Sequence, residues 1–187
     1  MEATMAEVQN PTVTPQLRQR ARQSPDSWIY VVDPGFEGAP EVPGWAVVGA
    51  YRVDERGEVV DELRPNPSYR PTPAALGFPP PANELEGALQ RAVTGHADDD
   101  EVRAALLEAT VFVPHLSGTD GVAGLDAGLD QRVVHAFSSE RYLPGPVTWR
   151  HWERLPVRDL AEALGERYLL LNPDSELELR VPSRDLG

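Results

Sequence analysis

The sequence of 187 residues contains no cysteine, which excludes disulfides, thiolate metal sites and cysteine nucleophiles. Lysine is absent as well, so all 17 basic residues are arginines, a bias typical of coding in a GC-rich genome. No apolar run reaches the roughly 18 residues of a membrane-spanning helix, and the N-terminus lacks the charged-then-apolar order of a signal peptide. We therefore expect a cytoplasmic protein without membrane insertion.

Basic residues are outnumbered by 30 acidic ones, which gives a formal net charge of −13. Nucleic acids and anionic membranes are bound through basic patches, so the charge disfavours both and predicts no nucleic acid partner. A basic protein partner fits this charge better. Hydrophobic residues at 41% and charged residues at 25% are ordinary values for a folded globular protein.

Proline is abundant, and its densest cluster is the segment from Pro65 to Pro81, here called the proline strap. Proline fixes φ near −65° and removes the backbone donor, so this segment is neither the interior of a helix nor a central strand. It contains Tyr69, Leu76 and Phe78, and apolar side chains at such spacing hold an extended segment onto a folded body. We expect these three side chains to be buried, with the strap bracing the N-terminal strands against the C-terminal half.

The chain before the strap predicts three strands. Residues 27–32 and 45–53 are rich in aromatic and β-branched residues, and a turn ending at Gly57 joins the second run to residues 58–63 as a hairpin. Gly49, inside the second strand, predicts a bulge or a close backbone approach.

Residues 1–26 lack a sustained apolar period and are expected to be a disordered tail. Its locally basic stretch, residues 17–22, is either a solvated part of the tail or a docking element for an acidic partner.

Beyond the strap the pattern predicts helices and strands in alternation. A helix over residues 83–93 has Asn83 as its N-cap and ends at Gly95, and the acidic run 98–101 caps a second helix rather than binding a metal. Further elements follow, as strands over 111–113, 132–137, 147–155, 168–171 and 176–181 and a helix over 158–164. The last strand alternates cleanly and is expected at an exposed edge, where Leu177 to Val181 would form any homodimer contact.

Together these elements predict an α+β fold, in which an N-terminal antiparallel β-meander and the proline strap pack on a mixed α/β C-terminal half. The expected divisions are a disordered tail at 1–26, the meander, strap and first helix at 27–97, and an α+β domain at 98–187.

Catalytic and metal signatures are weak. The four histidines have no ligand partner at helical spacing, although His115 and His135 on neighbouring strands, with Asp120, form one conceivable cluster. The loop 119–130 lacks the alternate-position aspartates and final glutamate of a calcium loop, so it is interpreted as a hairpin connection. No cofactor and no metal site is predicted.

Ser138 follows a strand but lacks the flanking glycines of a nucleophile elbow, which favours a helix cap. An enzyme using Ser138, His135 and a loop aspartate, Asp120 or Asp126, remains an alternative.

Aromatic residues of the first half provide the candidate binding site. They lie among prolines and glycines that keep the backbone extended, and they are either core residues or the lining of a groove for a peptide or partner helix. With one neighbouring arginine, the predicted partner-binding residues are Trp28, Tyr30, Trp45, Tyr51, Tyr69, Arg70 and Phe78.

Two sets of segments resemble known families. The first half resembles the actinobacterial proteins associated with type VII secretion, in Trp28 to Pro34, Val42 to Gly49, Val53 to Asp54 and Asn66 to Gly77. The second half, from Glu101 onward, is similar to the SseB N-terminal-like domain, in Ala109 to Pro114, Val134 to Ser139, Val157 to Leu160 and Leu171 to Pro173.

This resemblance implies a cytoplasmic accessory protein encoded with a secretion apparatus, and it supplies no active site. We therefore expect a non-enzymatic adaptor or chaperone-like protein that binds a secreted substrate or a machine component. The alternative is an immunity protein that neutralises a co-encoded toxin, since acidic proteins of this size cover basic active sites.

Overall fold

The computed structural model of the chain describes residues 13–115, 133–145 and 151–186. Within these residues the backbone forms four α-helices, α1 to α4, and eight strands, β1 to β8. The strands make three sheets with antiparallel and parallel pairs, which confirms the α+β class. The chain divides into two compact units, Met1–Phe78 and Pro79–Gly187.

The first unit contains one helix and one antiparallel sheet, formed by α1 (Pro15–Gln23), β1 (Trp28–Val32), β2 (Val47–Val53) and β3 (Val59–Pro65). The strands pair in the order β1-β2-β3. In this register Tyr30 lies opposite Ala50, and Ala50 lies opposite Arg64. Because side chains alternate along a strand, these three residues share one face of the sheet, and the buried Ile29 lies on the other.

The β2 strand contains both features that Gly49 predicts. The β1–β2 register skips one residue between the pairs Val31–Gly49 and Val32–Val47, which places a bulge at Val48. A Cβ atom on Gly49 would lie 2.5 Å from the carbonyl oxygen of Arg64, so only glycine allows the backbones to approach so closely.

Helix α1 corrects the expectation of a disordered tail for residues 15–23, whereas residues 1–12 of that predicted tail lie outside the described residues. Thr14 caps the helix by accepting a hydrogen bond from the Leu17 amide, and Pro15 occupies its first turn, where no donor is needed. Ala21 is buried with Ile29 and Val53, and Leu17 packs against the same cluster. Tertiary packing therefore stabilises a helix whose two apolar contacts are too few to form a visible period in the sequence.

The burial of side chains in the proline strap differs in part from the expectation that Tyr69, Leu76 and Phe78 are all buried. Tyr69 and Phe78 are half-buried, but Leu76 is 41% exposed, and the buried residue is Thr72. The reason is a helical turn after Thr72, in which the Leu76 amide donates to the Thr72 carbonyl and Gly77 ends the turn at φ 82°. This turn directs Leu76 to solvent.

The second unit alternates helices and strands in α2 (Glu84–Val93), α3 (Asp99–Glu108), β4 (Thr110–His115), β5 (Val133–Ala136), β6 (His151–Pro156), α4 (Val157–Leu164), β7 (Tyr168–Leu171) and β8 (Leu179–Pro182). Strand β4 pairs antiparallel with β6. Strand β7 pairs parallel with β5 and antiparallel with β8, which lies at the edge of that sheet.

Local signals for the helices of this unit are confirmed. Asn83 caps α2 by accepting from the Glu86 amide, Asp98 caps α3 by accepting from the Glu101 amide, and Gly95 adopts φ 76° after α2. Val93, at the end of α2, is exposed, and the buried residues of the helix include the polar Glu86 and Gln90.

Two sequence-based boundaries differ from the structure. The division between the units falls inside the strap, between Phe78 and Pro79, so α2 belongs to the second unit rather than to a domain ending at residue 97. The last strand, expected over 176–181, begins at Leu179, because residues 173–177 form turns in which Leu177 is buried.

Candidate partner-binding surface

The face of the first sheet that carries Tyr30 also carries Trp28, and both side chains are exposed, at 61% and 39%. Arg52 lies directly opposite Trp28 in the strand register. The guanidinium carbon of Arg64 lies 4.7 Å from the centroid of the Trp28 ring, a cation–π contact. We call this surface, formed by Trp28, Tyr30, Ala50, Arg52 and Arg64, the aromatic face.

A groove of about 420 Å³ runs from the aromatic face to the beginning of the proline strap. Tyr30 and Arg64 line it on either side of the small residue Ala50, and Pro65 and Pro67 continue its wall. Aromatic and proline side chains around a shallow groove are the lining that extended peptides bind in proteins.

Asn66 fixes the proline wall of this groove. Its side-chain amide donates hydrogen bonds to the carbonyls of Gly44 and Val47, at 2.8 and 2.7 Å. Its backbone amide donates to the Val48 carbonyl, at 3.0 Å, and its side-chain oxygen accepts from the Ser68 amide. The groove is therefore held in shape without a partner.

A buried carboxylate anchors the strap further along. Asp33, at the end of β1, accepts hydrogen bonds from the Tyr69 hydroxyl and the Gly35 amide, both at 2.8 Å, and from the amide and hydroxyl of Thr72. A Cβ atom on Gly35 would lie 2.7 Å from the Thr72 hydroxyl oxygen, so the packing here is tight. We call these four residues the Asp33 cluster.

The electrostatics of the Asp33 cluster follow from these hydrogen bonds. Burial raises the pKa of Asp33, but the donors of Thr72, Gly35 and Tyr69 stabilise its charged form and hold the pKa below its ordinary value. Burial, together with the hydrogen bond to Asp33 and its negative charge, raises the pKa of Tyr69. At neutral pH the cluster is therefore an ionised carboxylate held by neutral donors.

The structure brings two of the seven predicted binding residues together, Trp28 and Tyr30. Tyr51 is in the core, and Tyr69 is held by Asp33. Trp45 packs edge-on against Phe36, with ring centroids 5.2 Å apart, and its carbonyl accepts from the backbone amide of the exposed Arg70. Phe78 is half-buried at the end of the unit.

Sequence reasoning missed the residues that shape and hold this surface, namely Asn66, Asp33, Thr72 and Arg64. The available signal was an asparagine or aspartate directly before a proline. The short side chains of asparagine and aspartate accept hydrogen bonds from nearby backbone amides at turns. That signal predicts the local bonds of Asp33 to Gly35 and of Asn66 to Ser68 but none of the bonds to distant residues.

Ser138, the alternative nucleophile, lies in the second unit and is 3% exposed. Its hydroxyl donates to the Glu86 carboxylate and accepts from the Asn172 amide, both at 3.0 Å. A hydroxyl has one proton, and here a carboxylate that does not contact solvent accepts it. Asp120 and Asp126 lie outside the described residues.

Glu86 is the centre of this buried polar group. It also accepts a hydrogen bond from the Ala82 amide at 2.8 Å, and the Arg141 guanidinium lies 3.6 Å away. Burial raises the pKa of the nearby Tyr142, the charges of Glu86 and Glu176 raise it further, and Arg141 opposes them. The capping-box spacing of Asn83 and Glu86 was the sequence signal for this structural role.

Within the ranges that the structure describes, no three histidine, aspartate or glutamate side chains converge as a metal site would require. The His115 side chain and the loop 119–130 of the conceivable histidine cluster lie outside the described part of the chain. None of the described helices has both the length and the apolar character needed to cross a membrane.

Comparison with known protein families gives a match over the second half of the chain. The family model of the SseB protein N-terminal domain matches residues 85–187, which are 103 of the 187 residues and coincide with most of the second unit. No curated protein and no solved structure matches the chain.

Proposed function

We propose that this chain, which belongs to the SseB protein N-terminal domain family, is a non-enzymatic accessory protein of actinobacterial type VII secretion. In the cytoplasm it acts as an adaptor or chaperone that binds a secreted substrate or a component of the secretion machine. The aromatic face of the first unit is the contact surface.

One observation carries the proposal, the exposure of Trp28 and Tyr30 side by side on a sheet face. Tryptophan, tyrosine and arginine contribute most to the binding energy of protein interfaces, and this face combines all three. Large aromatic side chains that remain exposed next to a preformed groove are typical of an interaction surface.

The non-enzymatic part of the proposal is supported by the surroundings of Ser138. Its hydroxyl is hydrogen-bonded to both Glu86 and Asn172, and the residue is 3% exposed, which favours a structural role over that of a nucleophile.

Affinity capture tests the proposed function. The tagged full chain and its Trp28→Ala/Tyr30→Ala variant are incubated with lysate of a bacterium that expresses a type VII machine and its substrates. We expect the unchanged chain to recover a machine component or a substrate and the variant to lose about tenfold or more of it. Val93→Ala, an exposed apolar residue on α2, is the matched control.

Recovery of no secretion component would contradict the proposal, as would equal recovery by the double variant. Circular dichroism of each variant establishes that it is folded before capture is compared.

A second candidate, the immunity protein, is favoured by a different observation, the charge of the second unit. Residues 79–187 contain ten arginines and nineteen acidic residues, a net charge of −9. An acidic surface complements the basic active site of a toxin that acts on nucleic acid. Rescue of growth by this chain during expression of a neighbouring toxin gene would identify that function, and it would not require Trp28 or Tyr30.

A further inference from the structure

The net charge of the whole chain does not describe the aromatic face. Residues 1–78 contain seven arginines and eleven acidic residues, a net charge of −4, whereas residues 79–187 carry −9. Most of the acidity that suggests a basic partner therefore belongs to the second unit. The local charge of the face must be considered by itself.

The charged residues on the face with Trp28 and Tyr30 are Arg52, Arg64 and Glu62, which stands two positions before Arg64 on β3, so positive charge exceeds negative by one. Arg52 lies opposite Trp28, and Arg64 stacks over its ring. Neither arginine forms an ion pair with a carboxylate of the described side chains. A guanidinium that stacks on an aromatic ring keeps its N–H edge available, and this edge fits a carboxylate with two parallel hydrogen bonds.

The shape of the groove complements this charge. Tyr30 and Arg64 stand on strands two positions apart, about 10 Å, with only the Ala50 methyl group between them. That width admits an apolar side chain next to the Arg64 guanidinium. The volume of about 420 Å³ is that of a site for a few side chains rather than for a folded domain.

The proline wall determines how the occupant is held. Pro65 and Pro67 have no backbone N–H, so a strand cannot pair continuously along this side of the groove. Recognition therefore depends on side chains of the occupant, its apolar groups in the groove and its charges on the arginines.

From these observations, and resting on the function proposed above, we infer that the aromatic face binds an acidic extended segment of the protein partner. In this segment apolar side chains enter the groove beside Tyr30, and aspartate or glutamate side chains pair with Arg52 and Arg64.

Titration with designed peptides tests this inference. A set of peptides of about 12 residues has leucine and phenylalanine at fixed positions and differs only in the intervening residues, which are glutamate, glutamine or arginine. Each is added to the full chain, and backbone amide shifts of residues 28–32 and 47–53 are followed by NMR. We expect the glutamate peptide to bind about tenfold more tightly than the glutamine peptide and the arginine peptide to bind most weakly.

Charge reversal on the face should remove this preference. Arg52→Glu/Arg64→Glu is expected to weaken the glutamate peptide about tenfold or more, whereas Arg20→Glu/Arg56→Glu, with the same charge change on exposed residues elsewhere in the unit, leaves it within about twofold. If the reversed variant does not fold, Arg52→Gln/Arg64→Gln replaces it, with a smaller loss expected.

Four results would overturn the inference, three of them in the peptide titrations. These three are tighter binding of the arginine peptide, equal binding of the glutamate peptide to the variant chain, and no shift from the glutamate peptide up to about 1 mM. Shifts of the face on dilution of the free chain would also overturn it, since they would identify a second copy as the occupant. Because the titration uses no lysate, its failure is distinguishable from failure of the capture experiment.

Discussion

The phenolic hydroxyl of Tyr69 donates a hydrogen bond to the carboxylate of Asp33 over 2.8 Å, although the two residues are 36 positions apart in the chain. Asp33 also accepts from Gly35 and Thr72, so one carboxylate connects the end of β1 to the middle of the proline strap. The strap begins at Pro65, in the wall of the groove, and its position depends on this connection.

Replacement of the carboxylate should destabilise the first unit. Asp33→Asn removes the charge and leaves at least one buried donor without an acceptor, for which we expect a loss of about 2–3 kcal/mol in the free energy of unfolding. Urea unfolding measures the loss, and faster hydrogen exchange of the Thr72 amide locates it. Glu37→Gln, at an exposed position nearby, is the control and should change the stability by less than about 0.5 kcal/mol.

The contribution of Asp33 to the free energy of unfolding should decrease only as the pH is lowered. Its pKa in the folded chain lies below the ordinary value of 3.8, so at acid pH the unfolded chain binds more protons than the folded one. The stabilisation is fully present above about pH 4 and is lost as the pH falls through the folded pKa.

Urea unfolding of the wild type and Asp33→Asn at a series of pH values checks this sign. The stability difference between them should stay constant from neutral pH to about pH 5 and narrow only below about pH 4. A difference that narrows already between pH 7 and pH 5 would contradict the assignment.

The contact between Gly35 and Thr72 gives an independent test of the strap. A methyl group on residue 35 would lie 2.7 Å from the Thr72 hydroxyl oxygen and 3.1 Å from its Cβ, so Gly35→Ala should displace the strap and cost about 1–3 kcal/mol. Gly44→Ala is the control, because its methyl group meets no atom within 4 Å. Equal effects of the two substitutions on the midpoint of thermal unfolding would contradict this account.

Replacing the adjacent serines Ser138 and Ser139 by alanine should have opposite effects on the free energy of unfolding. Ser138→Ala leaves the buried Glu86 and Asn172 each without one partner, and we expect it to destabilise the second unit by about 2–3 kcal/mol. The Ser139 hydroxyl is buried and has no hydrogen-bond partner among the described residues, so Ser139→Ala should be neutral or stabilising by up to about 1 kcal/mol. Denaturant unfolding of both variants compares them directly.

Much of the fold could be predicted because its signals are local. The caps Asn83 and Asp98, and the turn glycines Gly57 and Gly95, act within a few residues of themselves, and they are where the sequence predicts them. Helix α1 was missed because its stability comes from packing on Ile29 and Val53, residues outside its own segment.

The candidate site was harder to predict because strand β1, which carries Trp28 and Tyr30, has apolar or aromatic residues on both faces. In Trp28-Ile29-Tyr30-Val31 every residue is apolar or aromatic, so alternation cannot indicate which face is exposed. Likewise, the distant partners of the Asp33 and Ser138 side chains are 34 to 52 residues away, and no spacing rule connects them. Tertiary packing determines which face of β1 is exposed, and long-range hydrogen bonding determines the surroundings of Asp33 and Ser138.

The positions of Pro65 and Pro67 have a consequence for solubility. A three-stranded sheet that exposes tryptophan and tyrosine would, at an unprotected edge, recruit strands of other molecules and grow into cross-β aggregates. β3 is one of the two outer strands of this sheet, and it ends at Pro65, where the row of donors that such growth requires also ends. The prolines thus limit growth into fibrils from the β3 edge of a sheet whose aromatic face stays exposed.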